Sequence, residues 1–93
     1  MRNYEIAFIV HPELEDAGYN EVVERVQDLV KNAGGTIAKV DQWGRKKLAY
    51  EIRNLTEGQY VFLQTEMDPT VCSDLERAIR LNESIIRYMI TAN

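Results

Sequence analysis

Apolar residues recur with two different periods along this chain, and the switches between periods mark its elements. From Arg2 to Val10, Tyr4, Ile6, Phe8 and Val10 alternate with Glu5, Ala7 and Ile9. That period of two predicts a strand with one strongly apolar face. His11-Pro12 ends it, because proline has no ladder donor. Behind the acidic turn Glu13–Asp16, the residues Tyr19, Val22, Val23, Val26, Leu29, Val30 and Ala33 recur at helical spacing. Asp16 or Asn20 is the expected N-cap, and Gly34-Gly35 the expected stop.

The second half returns to strands. Thr36 to Trp43 is β-rich, Gly44 interrupts it, and Leu48, Tyr50 and Ile52 resume the alternation with one face expected buried. The pattern predicts one long strand with a bulge or bend at Gly44, a tight hairpin at Trp43-Gly44 being the alternative. Arg53 to Gly58 reads as the hairpin turn. Gln59 to Met67 then sets Val61, Leu63, Thr65 and Met67 against Tyr60, Phe62, Gln64 and Glu66. Asp68-Pro69 is a helix-start pair, followed by the stripe Val71, Leu75, Ala78 and Ile79, with Asn82 as terminator. A last strand over Ile85–Thr91 sets Ile86, Tyr88 and Ile90 against Ile85, Arg87 and Met89.

The order is β-α-β-β-α-β. Right-handed crossovers place both helices on one face of a four-stranded antiparallel sheet, so the expected fold is α+β and ferredoxin-like. The other face should then carry Ala7, Ile9, Tyr60, Phe62, Arg87 and Met89. That set is more apolar than solvent requires, which points to a covered or partner-binding surface.

Composition narrows the class. At 93 residues, residues 1–93 are expected to form one domain able to build a core without staples. The formal net charge of −4 argues against nucleic-acid binding by overall charge, yet leaves a local patch open. A single cysteine, Cys72, fits a reducing compartment, and no apolar run reaches the roughly 20 residues that span a bilayer. A cytoplasmic location is expected, with no membrane partner.

One stretch carries candidate chemistry. In Gly44-Arg45-Lys46-Lys47-Leu48-Ala49-Tyr50-Glu51-Ile52-Arg53, adjacent cations lead into a strand and can be presented to a polyanion from a fixed place. The alternative is that they keep an edge strand soluble. Elsewhere the signals are bland. His11 has no second histidine or serine-base arrangement to join and reads as a loop residue rather than a ligand or general base. Cys72 reads as a small packed side chain. The carboxylates Glu13, Glu15, Asp16, Glu21, Glu24 and Asp28 lack calcium-loop spacing and form an acidic, solvated side that repels phosphate. No catalytic group, metal site, cofactor or small-molecule substrate is expected.

The run from Gly44 to Ile52 resembles the motif of the bacterial small-subunit ribosomal protein six family, in which a glycine and basic residues precede Leu-Ala-Tyr-x-Ile. The opening Arg2-Asn3-Tyr4-Glu5, the hairpin glycine Gly58, Glu66-Met67, and Arg87 within Ile85–Ile90 are similar as well. The resemblance covers essentially the whole chain. It implies a structural protein of the ribosome that binds the central domain of small-subunit ribosomal RNA as a heterodimer with the basic small-subunit ribosomal protein eighteen. Some members are also associated with their own messenger leader. It further implies RNA contacts by Arg2, Tyr4, Arg45, Lys46, Lys47, Tyr50 and Arg87. Strand parity puts Tyr4 and Tyr50 with the core set, so for both a packed ring with its hydroxyl at the rim is the alternative.

Two other classes share the element order. An RNA-recognition-motif domain stacks bases on strand aromatics, and Gly58-Gln59-Tyr60-Val61-Phe62-Leu63 matches its third-strand pattern only in part. A ferredoxin-like enzyme or ligand-binding oligomer needs convergent acid, base or nucleophile groups, which His11 and Cys72 do not supply.

Overall fold

The computed structural model describes all of residues 1–93. Strand β1 spans Arg2–Val10, helix α1 Asp16–Asn32, strand β2 Thr36–Ile52 and strand β3 Leu55–Met67. A single 3-10 turn, Pro69–Val71, leads into helix α2 over Cys72–Arg80, and strand β4 closes the chain over Ile85–Ala92. The sheet is antiparallel with order β2-β3-β1-β4. This is the expected ferredoxin-like βαββαβ arrangement, with both helices on one face.

The core lies between that face and the helices. Ile6, Phe8, Val10, Val61, Leu63 and Met67 supply the sheet side, and Val22, Val23, Val26, Val30, Leu75 and Ile79 the helix side. The period of two in β1 and β3 and the stripe on α1 therefore each face the same apolar layer. Burying a side chain such as Phe8 fully is worth about 1.5–3 kcal/mol. Gly34, at φ +88°, ends α1 as expected.

Several boundaries differ from the sequence pattern, each for a local reason. The N-cap position of α1 is Glu15, whose side chain makes no capping bond. Asn20 instead accepts a hydrogen bond from Gln42 Nε2 at 2.9 Å, tying α1 to β2. The turn between β2 and β3 is only Arg53-Asn54, both at positive φ (50° and 64°), flanked by the pair Ile52 and Leu55. Two left-handed residues match the right-handed twist of a hairpin, so the strands run to the very tip. Gly58 is thus inside β3, not in the turn. In β4 a register shift opposite Ile9 and Val10 moves Ile85 into the core layer. Ile86 instead sits beside Gly58, and Tyr88 and Ile90 keep their expected place against the core.

Asp68 caps the 3-10 turn, accepting from the Thr70 N–H at 2.9 Å and Thr70 Oγ1 at 2.8 Å. These bonds hold its carboxyl below the ordinary 3.8. A carboxylate with a lowered folded-state pKa stabilises the fold above its unfolded value, and that contribution is lost as pH falls through the folded value. Asp68→Asn keeps an acceptor oxygen but cannot titrate. Its melting temperature is expected to fall less steeply than the wild type's below about pH 4. Parallel curves would refute the cap's role in acid stability.

Candidate nucleic-acid interface

The geometry of the basic stretch follows from one extra residue in β2. Gln42 pairs with Val61 and Gly44 with Tyr60, so Trp43 has no partner and forms a bulge. Gly44 sits there at φ +74°, a conformation that L side chains rarely adopt. The bulge is held from the helix side. The Gly44 N–H donates to Tyr19 Oη at 3.2 Å, and the Tyr19 hydroxyl donates to the Tyr60 carbonyl at 2.8 Å.

Beyond the bulge, strand parity divides the three cations. Arg45 pairs with Gln59 on the helix side, Lys46 with Gly58 on the open side, and Lys47 with Glu57 on the helix side again. Arg45 is engaged there, since its Nη2 donates to the Pro12 carbonyl at 2.7 Å and its Nη1 lies 3.8 Å from Glu57 Oε1. Lys46 and Lys47 are exposed. The cluster is contiguous in sequence but not on the surface.

Past Lys47 the hairpin leaves the body of the sheet. The expectation that Leu48, Tyr50 and Ile52 bury one face is overturned. Leu48 and Ile52 are half-buried, and Tyr50 is 56% exposed. The arm has too little sheet beside it to cover either face. Instead it curls over the open side, with Leu48 against Gly58 and the Arg87 guanidinium 5.3 Å from the centre of the Tyr50 ring. Because β2 and β4 are the two outer strands, that cation–π contact exists only through the curl.

The open face continues from this contact as an apolar surface. Glu5, Ala7, Ile9, Tyr60, Phe62, Arg87 and Met89 line a shallow groove of about 280 Å³. The expected open-face set is therefore brought together as read from the alternation. Trp43 was not part of that expectation. Its ring is 58% exposed and lies 4.5 Å from Phe62 between centroids, extending an aromatic row through Tyr60. The only hint in the sequence was a tryptophan directly before the strand glycine.

Two candidates lie elsewhere. Arg2 pairs with Met67 at the far end of β1, eight residues from the Val10 that pairs with Gln59, hence about 27 Å along the strand from the basic hairpin. Tyr4 is in the core at 8% exposure. Burial raises its phenol above the ordinary 10.0, and the neighbouring Cys72 thiol adds to the rise. Its ring therefore packs inward, as parity requires, and does not present itself to a ligand. Cys72 packs against the same layer. His11 Nδ1 accepts from the Glu13 N–H at 3.1 Å and shapes the loop before α1.

A family model described as ribosomal protein S6 matches residues 3–92. The chain is 43% identical over 91 residues to the small ribosomal subunit protein bS6 of Moorella thermoacetica, covering 98% of this chain and 93% of that relative. It is 41% identical over 90 residues to bS6 of Clostridium botulinum, covering 97% and 96%. The crystal structure of 30S ribosomal protein S6 from Thermotoga maritima superposes with a TM-score of 0.95 at 32% identity, covering 99% of this chain and 87% of that chain.

Proposed function

Because the chain belongs to the ribosomal protein S6 family and is a non-enzymatic protein of the small ribosomal subunit, we propose that it binds the central domain of small-subunit ribosomal RNA as a heterodimer with ribosomal protein eighteen. The observation that carries this reading is the pairing of an apolar aromatic face with a basic hairpin on a chain of net charge −4. The face takes the companion, which buries Met89, Trp43 and the Tyr60–Phe62 row. The hairpin takes phosphate through Lys46 and Lys47, with Arg87 and Tyr50 at the seam between protein and RNA. Arg2 is a separate phosphate contact at the other end of the sheet. Arg45 shapes the hairpin more than it neutralises RNA, and Tyr4 belongs to the core.

Charge explains why two proteins are needed. The carboxylates on and before α1 repel a phosphate backbone, and two free lysines release few counterions. A basic companion seated on the apolar face supplies the missing cations. Titration of a central-domain RNA fragment at fixed moderate salt is expected to show tight binding only when the companion is present. Tight binding of this protein alone to short single strands would overturn the heterodimer in favour of direct base stacking. The open positions of β1 speak against stacking, because they carry Ala7 and Ile9 where a stacking platform uses rings.

A further inference from the structure

We infer that Tyr19 is the positioning residue of the open-face partner surface, because its hydroxyl fixes the bulge that decides which side of the hairpin faces the partner. The inference rests on the reading of that face as the binding surface. The physical basis is parity. Side chains of a strand alternate between faces, so one inserted residue inverts every position beyond it. With Trp43 bulged, Gly44, Lys46 and Leu48 share the side of Tyr60 and Gly58, while Arg45 and Lys47 share the side of Gln59 and Glu57.

Without the bulge the assignment reverses. Arg45 and Lys47 turn to the open face, and Lys46 and Leu48 turn to the helix side. The Arg45 bond to the Pro12 carbonyl, the Leu48 contact with Gly58 and the Arg87–Tyr50 contact are then all lost. At the bulge the Gly44 N–H donates to the Tyr19 hydroxyl, and that hydroxyl donates to the Tyr60 carbonyl, so both backbone groups are tied to α1. A single hydroxyl makes both bonds, at 3.2 Å and 2.8 Å, from a helix 25 residues earlier in the chain. Tyr19 is itself only 6% exposed, so no water takes its place freely. A phenylalanine fills the same space and withdraws only the lock.

The test is Tyr19→Phe, read first on the free protein by NMR. The expected result is loss of hydrogen-exchange protection at the Gly44 amide and loss of the Leu48 methyl to Gly58 contact, with the α1 and β1 signals retained. Binding to the companion and central-domain RNA is expected to weaken about tenfold, the scale of one lost hydrogen-bonded lock. Gly44→Ala provides a second variant, since a Cβ there meets nothing within 4 Å and only the positive φ is penalised. It should reproduce both changes. A Tyr19→Phe protein that melts lower but keeps the Leu48–Gly58 contact would show a merely structural tyrosine and overturn the inference. Should the wild type fail to bind companion and RNA, the functional reading falls, while the NMR readout still decides whether Tyr19 sets the register.

Discussion

Gly58→Ala is expected to destabilise the protein by about 2–3 kcal/mol, the upper part of the range for overpacking. A Cβ at this position runs into Cγ2 of Ile9, lies 3.3 Å from Cδ2 of Leu48 and 3.6 Å from Cδ1 of Ile86. Cγ2 of Ile9 is fixed directly on a branched Cβ of an inner strand, so it cannot swing away as a long flexible side chain would. Relief must come from the backbone, by lifting the hairpin off β1. For a domain of this size a loss of 2–3 kcal/mol lowers the melting temperature by roughly 10–20 °C. Lifting the arm also removes the Arg87–Tyr50 contact, so companion binding should weaken beyond what unfolding explains. The double variant with Ile9→Ala should recover part of the loss, a coupling that a double-mutant cycle measures. A fall of only a degree or two in Gly58→Ala would show that the hairpin is not pressed against β1 in solution.

Replacing Lys46 and Lys47 together with alanine is expected to weaken assembly on RNA strongly and leave thermal unfolding nearly unchanged. Both side chains are exposed and neither takes part in an ion pair or a side-chain hydrogen bond. Removing two phosphate contacts should flatten the dependence of log affinity on log salt by about 1.4–1.8, using 0.7–0.9 per contact. Arg45→Ala should behave differently, although it is the adjacent cation in sequence. It strips the Pro12 carbonyl and Glu57 of their partner, so the melting temperature falls while the salt slope changes little. Measuring both variants in one salt series separates the roles. A slope change in Arg45→Ala equal to one lost contact would return that residue to the RNA surface. An unchanged slope in the lysine pair would remove the hairpin from it.

Those contrasting expectations for neighbouring residues measure what the sequence could reveal. The elements of β1, α1 and β3 were legible because each is specified by its own spacing, period two or period 3.6, and each presents a mainly apolar face to the same core. The helix-start pair at Asp68-Pro69 was legible too, because capping is chemistry between residues two apart. The open face followed from parity alone, since nothing interrupts the alternation of β1 and β3 where they pair from Tyr4 to Val10. The motif from Gly44 to Ile52 carried the family with it.

The division of labour among the cations was not legible, and the reason is physical. Whether Lys46 or Lys47 meets the open side depends on a bulge, and the bulge depends on a hydroxyl from α1 that is distant in sequence. The exposure of Tyr50 depends on the hairpin outrunning the sheet and curling towards β4 through a close approach that only Gly58 permits. The burial of Tyr4 against its family-implied RNA role follows from where α2 and Cys72 pack. Local periodicity determined which elements form and which faces are apolar, because those preferences act between near neighbours. Only the tertiary structure decided which charges share a surface, because that is set by contacts between strands and helices far apart in the chain.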